Sequence, residues 1–227
     1  MRRRRAQEEA PPVAVVHRAA ALLLDYPGEE LLEHLPVLRA ALAGFPEELA
    51  APLLRLAEHL AAGPLGELQA DYVETFDTRR RCALHLTYYA HGETRRRGPA
   101  LVAVQETYRA AGFEVEGELP DHLCVLLEFA AREPAAGRAL LLEHRAGLEI
   151  LRLALLDRGS PWADALVAVC ATLPPLAGDD RQAVARLAAQ GPPDEQVGLE
   201  PYAPVTAPPP GGPVPVRLIT RPEGALR

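Results

Sequence analysis

Proline and glycine divide most of this sequence into short segments, and apolar residues recur at helical spacing inside those segments. In the first segment Val16, Ala19, Ala20 and Leu23 fall at i, i+3, i+4 and i+7, which is the pattern of a helix with one apolar face. No segment shows a sustained alternation of β-branched residues with a period of two, as a half-buried strand would. The sequence therefore predicts an all-α fold.

The segments predict a single compact bundle of about eight to ten helices over residues 13–190. Proline inside a segment either kinks or splits its helix, as at Pro36, whereas proline in the first turn is well tolerated, as at Pro46. The predicted helices are Val13 to Asp25, Glu29 to Ala43, Pro46 to Ala62, Leu65 to Phe76, Arg80 to Tyr89, Glu93 to Ala111, one opened by Pro120, Ala135 to Asp157, Pro161 to Leu173, and Asp179 to Ala189.

The composition changes at residue 191. Ten of the 23 prolines follow this point, together with the pair Gly211 and Gly212. Such a stretch cannot continue a helix and has too few apolar residues to build a core. Residues 191–227 are therefore predicted to be an extended or disordered tail, in which the short run from Val214 to Thr220 could dock elsewhere.

Charge and hydropathy exclude several classes of protein. The net charge is −7, which argues against a general nucleic-acid binder despite local arginine clusters. No apolar run approaches the roughly 20 residues of a membrane span, and the arginine-rich start lacks the apolar segment of a secretory signal. We therefore expect a cytoplasmic protein that is not inserted in a membrane. The three cysteines are far apart and are expected to be reduced.

The usual signatures of catalysis are missing. Ser160 is the only serine, and its place before Pro161 suits a helix cap better than a nucleophile. The seven histidines form no HExxH motif, and neither GxGxxG nor GxxxxGK[ST] occurs. We therefore predict no enzyme activity, no cofactor of its own and no metal site.

The stretch from Asp71 to Gly98 combines aromatic residues with two arginine triplets. Tyr72 and Phe76 are four residues apart and lie on one face of a predicted helix, with Asp77 beside them. Such an apolar strip edged by charge suits a groove for an amphipathic segment of another chain. Aromatic residues at this spacing also occur in ordinary cores, and the pattern alone leaves both interpretations open.

A second candidate is the run from Glu118 to Leu123, which reads ELPDHL. Its simplest interpretation is a helix start, with Pro120 at the first position and Asp121 in the first turn. The alternative is a carboxylate next to the imidazole of His122 at a helix N-terminus, where the pair orients a bound peptide. Spacing does not decide between these two interpretations.

Three motifs in this order give the chain a family resemblance. They are YVETFD with its following arginines from Tyr72 to Arg81, HGETRRRG from His91 to Gly98, and ELPDHL. Together they resemble the NarJ-type assembly chaperones of respiratory nitrate reductase, within the larger TorD- and DmsD-like group. The motifs DYP at Asp25 to Pro27 and LEF at Leu127 to Phe129 add to the likeness.

The resemblance implies a TorD-like helical bundle that performs no catalysis. Its partner would be the apo form of the catalytic, molybdenum-containing subunit of nitrate reductase. Such chaperones bind that subunit's N-terminal segment, a remnant of a twin-arginine leader. They hold the apo subunit until the molybdenum cofactor is inserted, so that it does not dock at the membrane prematurely. Carried over by motif, the peptide contacts are Tyr72, Phe76, Asp77, His91, Arg95, Asp121 and His122.

Two other functions compete with this hypothesis. A helical DNA-binding regulator would use the arginine triplets, but the acidic net charge and the lack of a clear helix-turn-helix disfavour it. A small helical enzyme with an unrecognised cofactor groove is the third possibility, and a metal or nucleotide retained on purification would indicate it.

Overall fold

The computed structural model describes residues 11–193 as a bundle of eleven α-helices with one 3-10 turn at Arg80–Cys82. Within this range there is no strand, which confirms the all-α prediction. The helices are α1 (Pro11–Leu23), α2 (Glu29–Leu42), α3 (Glu47–Ala62), α4 (Leu65–Phe76), α5 (Leu86–His91), α6 (Arg97–Ala110), α7 (Leu123–Arg132), α8 (Pro134–Glu143), α9 (Arg145–Asp157), α10 (Ala163–Ala171) and α11 (Gly178–Gln190).

Two helices organise the packing of the others. Helix α1 contacts α2, α3, α7 and α10, and helix α9 contacts α5, α8, α10, α11 and the 3-10 turn. Helix α10 touches both of them and so joins the two halves of the bundle. Because α1 is flanked on several sides, most of its apolar residues are buried, including Val16 and Leu23. Leu24, just after its end, is buried as well.

Trp162 marks the centre of the core between α10 and α4. Its side chain is fully buried, and the rings of Tyr72 and Phe76 lie edge-on to it at centroid distances of 5.6 and 5.7 Å. The hydroxyl of Tyr72 donates a 3.0 Å hydrogen bond to the carbonyl of Leu24. These contacts fix α4 against the end of α1, and edge-on aromatic pairs of this kind are favourable.

The proline inside α2 does not split it. Helix α2 runs unbroken from Glu29 to Leu42 with Pro36 on its exposed side, and α3 likewise contains Pro52 near its start. The predicted helix from Leu65 to Phe76 is confirmed with the same bounds. Helix α5 ends at His91, two residues beyond the predicted end at Tyr89, and Gly92 follows it with a φ of +58°, a conformation that favours glycine.

The prediction of one helix from Arg80 to Tyr89 was wrong. The segment forms the 3-10 turn, then an extended piece around His85, and only then α5. His85 forms an isolated antiparallel bridge with His122. Residues held in that bridge have extended backbones, so neither can belong to a helix, and α7 therefore starts at Leu123 instead of Pro120.

Two further boundaries differ from the prediction. The segment predicted as one helix from Ala135 to Asp157 is two helices, α8 and α9, because His144 between them has φ −96° and ψ 19°, which turns the axis. Helix α6 starts at Arg97, four residues later than predicted, after the turn that follows Gly92. The break at His144 accounts for an eleventh helix within residues 11–193, one more than the predicted eight to ten.

The remaining predictions on organisation concern the termini. The predicted tail, residues 191–227, lies outside the described residues except for its first three positions. Among the helices of the described part, none has the length and apolar character needed to span a membrane.

Candidate functional site

The carboxylate of Asp121 lies at the centre of the site and is completely buried. It accepts hydrogen bonds from the backbone N–H and the hydroxyl of Thr87, at 3.1 and 2.5 Å. Arg97 approaches the same carboxylate oxygen at 3.3 Å, and His85 lies 3.3 Å from the other oxygen. A buried carboxylate needs such partners, because leaving it unpaired is costly.

The same carboxylate also caps a helix. Thr87 is the second residue of α5, where the backbone N–H has no partner within the helix, and His85 before that helix provides no side-chain cap. Asp121 supplies the missing acceptor from a distant part of the chain. An anion at this end of α5 is also favoured by the helix dipole. Asp121 therefore ties the start of α5 to the start of α6 and to the segment before α7.

Further hydrogen bonds to backbone carbonyls reinforce this junction. The N–H of Leu86 donates to the carbonyl of Asp121 at 3.0 Å, and the N–H of Leu123 donates to the carbonyl of Leu84 at 2.8 Å. The hydroxyl of Tyr108 on α6 donates to the carbonyl of Pro120 at 2.8 Å. Three separate segments thus meet in one hydrogen-bonded junction with a fixed geometry.

The junction lowers the pKa of Asp121. Burial alone raises the pKa of its carboxyl group, but the hydrogen bonds from His85 and Thr87 and the charge of Arg97 outweigh burial and lower it from 3.8 to about 2. Burial also lowers the pKa of His122, while the carboxylates of Glu118 and Asp25 act in the opposite direction. Asp121 is therefore ionised at neutral pH.

A cleft of about 360 Å³ opens beside the junction. Phe76 and Asp77 of the first motif line it, together with Glu93 and Arg97 of the second motif and Tyr88 of α5. His85 lines it as well and stacks edge-on against His122 with ring centroids 5.2 Å apart. His85 thus connects the cleft to the third motif, and the structure brings all three motifs together.

The first-motif residues differ in their access to solvent. Tyr72 and Phe76 are each only 7% exposed, because both pack on Trp162. Asp77, which follows α4, is exposed at the rim of the cleft. The apolar strip predicted on α4 is thus part of the core, and only the edge of Phe76 reaches the cleft.

The residues of the other two motifs show the same division. Asp121 is fully buried, whereas His122 beside it is half-buried. In the second motif His91 is half-buried at the end of α5, and Arg95 is exposed in the turn before α6. Of the seven predicted contact residues, four therefore have surface available to a peptide, namely Asp77, His91, Arg95 and His122.

The sequence interpretation missed the partners of Asp121. Thr87 and His85 lie 34 and 36 residues before it, and Arg97 lies 24 residues before it. The motif HGETRRRG did indicate an arginine, but helical spacing cannot say which of Arg95, Arg96 and Arg97 turns inward when a turn of unknown geometry precedes them. Arg97 is the one that reaches the carboxylate.

The arrangement suits recognition better than chemistry. It exposes imidazole, carboxylate and guanidinium groups around an apolar edge. The hydroxyl of Thr87, which donates to the carboxylate of Asp121, is fully buried and out of reach of a substrate. Within residues 11–193 no group of three or more histidine, cysteine, aspartate or glutamate side chains could hold a metal ion.

Comparison with protein families gives a match to the family described as nitrate reductase delta subunit, over residues 42–168. This range is more than half of the 227 residues and contains all three motifs. Similar proteins include NarJ of Bacillus subtilis, at 33% identity over 70% of this chain and 88% of that protein. The nitrate reductase molybdenum cofactor assembly chaperone NarJ of Escherichia coli K12 is 35% identical over 62% of each chain.

Another relative is much longer than this chain. The nitrate reductase-like protein NarX of Mycobacterium tuberculosis is 40% identical over 70% of this chain, but the match spans only 24% of NarX. Among solved structures, a candidate redox enzyme maturation protein from Archaeoglobus fulgidus matches 77% of this chain and 93% of that one. Its TM-score is 0.52 at 21% identity, which supports the same helical fold.

Proposed function

Because the chain belongs to the nitrate reductase delta subunit family, we propose that it is an assembly chaperone for the catalytic subunit of respiratory nitrate reductase. It binds the N-terminal segment of that subunit, here called the client peptide, and performs no catalysis itself. It holds the apo subunit until the molybdenum cofactor is inserted, and it thereby prevents the subunit from docking at the membrane too early. The observation that carries the proposal is the family match, which includes the whole junction around Asp121.

The junction supports a binding role because it is rigid inside and chemically varied outside. Asp121 and its partners fix the relative positions of α5, α6 and α7. Rigid support of this kind lowers the entropy that is lost on binding. Around it, Asp77, His91, Arg95 and His122 offer both signs of charge and two imidazoles to a peptide.

We assign direct contacts with the client peptide to these four residues. Tyr72, Phe76 and Asp121 support the binding surface from the interior of the protein. Tyr72 and Phe76 pack on Trp162, and Asp121 holds the junction together. Because the client must later be released, the affinity is expected to be moderate, about micromolar or somewhat tighter, which corresponds to roughly −8 to −10 kcal/mol.

Titration calorimetry with a synthetic client peptide tests the proposal. The wild-type chain should bind it, and His122→Ala and Asp77→Ala should each weaken binding at least about tenfold, or roughly 1.4 kcal/mol. Glu58→Ala, an exposed acid on α3 away from the cleft, should bind like wild type. If the folded wild-type chain does not bind the peptide, peptide recognition is not its function.

A second experiment tests the assembly role separately. A bacterial host that lacks its own chaperone of this family should produce a catalytic subunit with little molybdenum, and expression of this chain should restore the molybdenum content. Metal analysis of the purified subunit provides the measurement. Unchanged metal content, with the chain present and folded, would contradict the role in cofactor insertion.

A further inference from the structure

A groove of about 640 Å³ lies between α1 and α2 and shares no lining residue with the cleft beside Asp121. Its walls are the facing sides of the two helices, and α1 alone is 13 residues, or about 20 Å, long. The volume falls in the usual range for ligand sites, roughly 300–1,000 Å³. The apolar floor of the groove includes Val15, Ala19, Leu22, Leu31 and Leu38.

The rim of this groove carries two large apolar side chains that are exposed to solvent. Val37 is 68% exposed and Tyr26 is 48% exposed, and both line the groove. Single exposed apolar residues are ordinary, but here two of them border a continuous apolar floor. The surface is therefore a candidate for docking an amphipathic segment, in which the apolar face enters the groove.

The charges along the groove are acidic. Asp25 and Glu30 line it, and neither forms an ion pair with a residue in the described part of the chain. Arg18 lines it too, but Arg18 pairs with Glu128 on α7, so its charge is already compensated. A segment that combines apolar and basic side chains complements this surface better than an acidic one.

The groove is connected to the junction by the loop between α1 and α2, which carries the DYP motif. The ring of Tyr26 lies edge-on to that of Tyr72 with centroids 5.4 Å apart, and Gln69 donates a 2.9 Å hydrogen bond to the carbonyl of Pro27. At the same end, the carboxylate of Asp25 is near enough to His122 to act on its charge. The α1–α2 loop therefore links the groove to residues of the first and third motifs.

We propose that the α1–α2 groove is a second part of the client-binding surface and receives the client peptide as a basic amphipathic helix. Its apolar face lies on the floor formed by Val15, Leu22 and Leu31, and its basic side chains meet Asp25 and Glu30. This inference rests on the proposed function, and it gives a role to the DYP motif that the junction around Asp121 does not supply.

Surface variants on the rim test the inference with the same synthetic client peptide. Val37→Arg removes an apolar contact and places a cation against a basic peptide, while Glu30→Arg reverses an attractive charge. Each is expected to weaken binding about tenfold or more. Both positions are exposed, so the variants should melt at the wild-type temperature.

Matched controls separate a local effect from a general change in charge. Val102→Arg on α6 replaces another exposed valine, 50% exposed, and Glu58→Arg on α3 reverses another exposed acid, and neither residue lines the groove. Both should bind the peptide within about twofold of wild type. The inference is supported if only the two groove variants lose affinity.

The other outcomes have distinct meanings. If wild type binds the peptide and all four variants bind equally well, the groove is not used and the inference is overturned, while the proposed function stands. If wild type does not bind at all, the proposed function fails first. If sedimentation shows a dimer that Val37→Arg dissociates, while peptide affinity is unchanged, the groove belongs to a second copy of the chain and the inference is again overturned.

Discussion

At the scale of single residues, the strongest effect on stability is expected at Asp121. Asp121→Asn keeps the shape of the side chain but leaves Arg97 facing a buried group without charge. Breaking one partner of a buried pair typically costs 3–5 kcal/mol, and because Arg97 is partly exposed we expect about 2–4 kcal/mol in the free energy of unfolding. Urea unfolding of wild type and variant measures this change in the free energy of unfolding. Asp77→Asn, at an exposed position, should change stability by less than about 0.5 kcal/mol, and equal effects of the two would contradict the structural role of Asp121.

The same residue predicts a dependence on pH. The pKa of Asp121 in the folded chain, about 2, is below its ordinary value of 3.8, so the unfolded chain binds more protons between these values. The stabilisation from the ionised carboxylate is complete above about pH 4 and is lost as the pH falls to 2. The difference in unfolding free energy between wild type and Asp121→Asn should therefore shrink over this interval. A constant difference would show that the charge is not what stabilises the fold.

The importance of Asp121 was predictable from sequence, but its role was not. The ELPDHL motif identified the residue, and its neighbour Pro120 suggested a helix start. Whether the carboxylate faces a ligand or the protein depends on Thr87 and Arg97, which are distant in sequence. Local pattern contains no information on that pairing. For Tyr72 and Phe76, likewise, spacing gave a shared face, and only the position of Trp162 shows that this face is internal.

At the scale of elements, helices were predicted well where local signals agree and poorly where a distant contact decides. Helix α4 follows the breakers Gly63 and Pro64 and has an uninterrupted apolar stripe, and its bounds were predicted correctly. The segment from Arg80 to Tyr89 has an equally helical composition, but the bridge between His85 and His122 forces part of it into an extended conformation. Tertiary context overrides propensity at this point.

The contact between α7 and α8 gives a prediction for a glycine. A Cβ at Gly137 would overlap the backbone of Ala130, because the two helices approach closely there. Gly137→Ala should therefore destabilise the chain by about 1–3 kcal/mol. Gly66 in α4 has no atom within 4 Å of the equivalent position, so Gly66→Ala should stabilise it by about 0.5–1 kcal/mol. Thermal melting of the two variants measures both changes, and a Gly137→Ala variant as stable as wild type would contradict the close packing of α7 on α8.

The contact of α1 with the end of α10 gives a second prediction at this scale. His17 is buried there with its Nε2 2.9 Å from the hydroxyl of Thr172, and burial lowers the pKa of His17 from 6.5 to about 4. Because the unfolded chain takes up the proton first, neutral His17 contributes stability above pH 6.5 that is lost as the pH falls to 4, by up to roughly 3 kcal/mol. His17→Gln should flatten the pH dependence of unfolding over this interval. An unchanged slope in His17→Gln would show that His17 does not cause this dependence.

At the scale of the whole molecule, the resemblance identified from three motifs is confirmed. The family match and the NarJ relatives agree with it, and the structural neighbour has the same helical fold. The motifs were informative because their residues meet at one place: HGETRRRG supplies Arg97, ELPDHL supplies Asp121, and YVETFD lines the adjacent cleft. Three separated sequences that converge on a single junction constrain one another, which explains why their order carried more information than any one of them.

The distribution of charge over the whole molecule also argues against the DNA-binding alternative. Net charge is −7, and two arginines of the triplets are compensated, because Arg79 pairs with Glu74 and Arg97 pairs with Asp121. Nonspecific DNA binders, by contrast, gain most of their affinity from cations that neutralise phosphates, typically with dissociation constants of about 10⁻⁴ to 10⁻⁶ M.

Fluorescence anisotropy with a labelled duplex at low salt should therefore show no saturable binding at micromolar protein. The triple variant Arg79→Ala, Arg80→Ala, Arg81→Ala should behave in the same way. Saturable binding that falls steeply with salt, and that this variant abolishes, would instead favour a regulator that uses the arginine triplet.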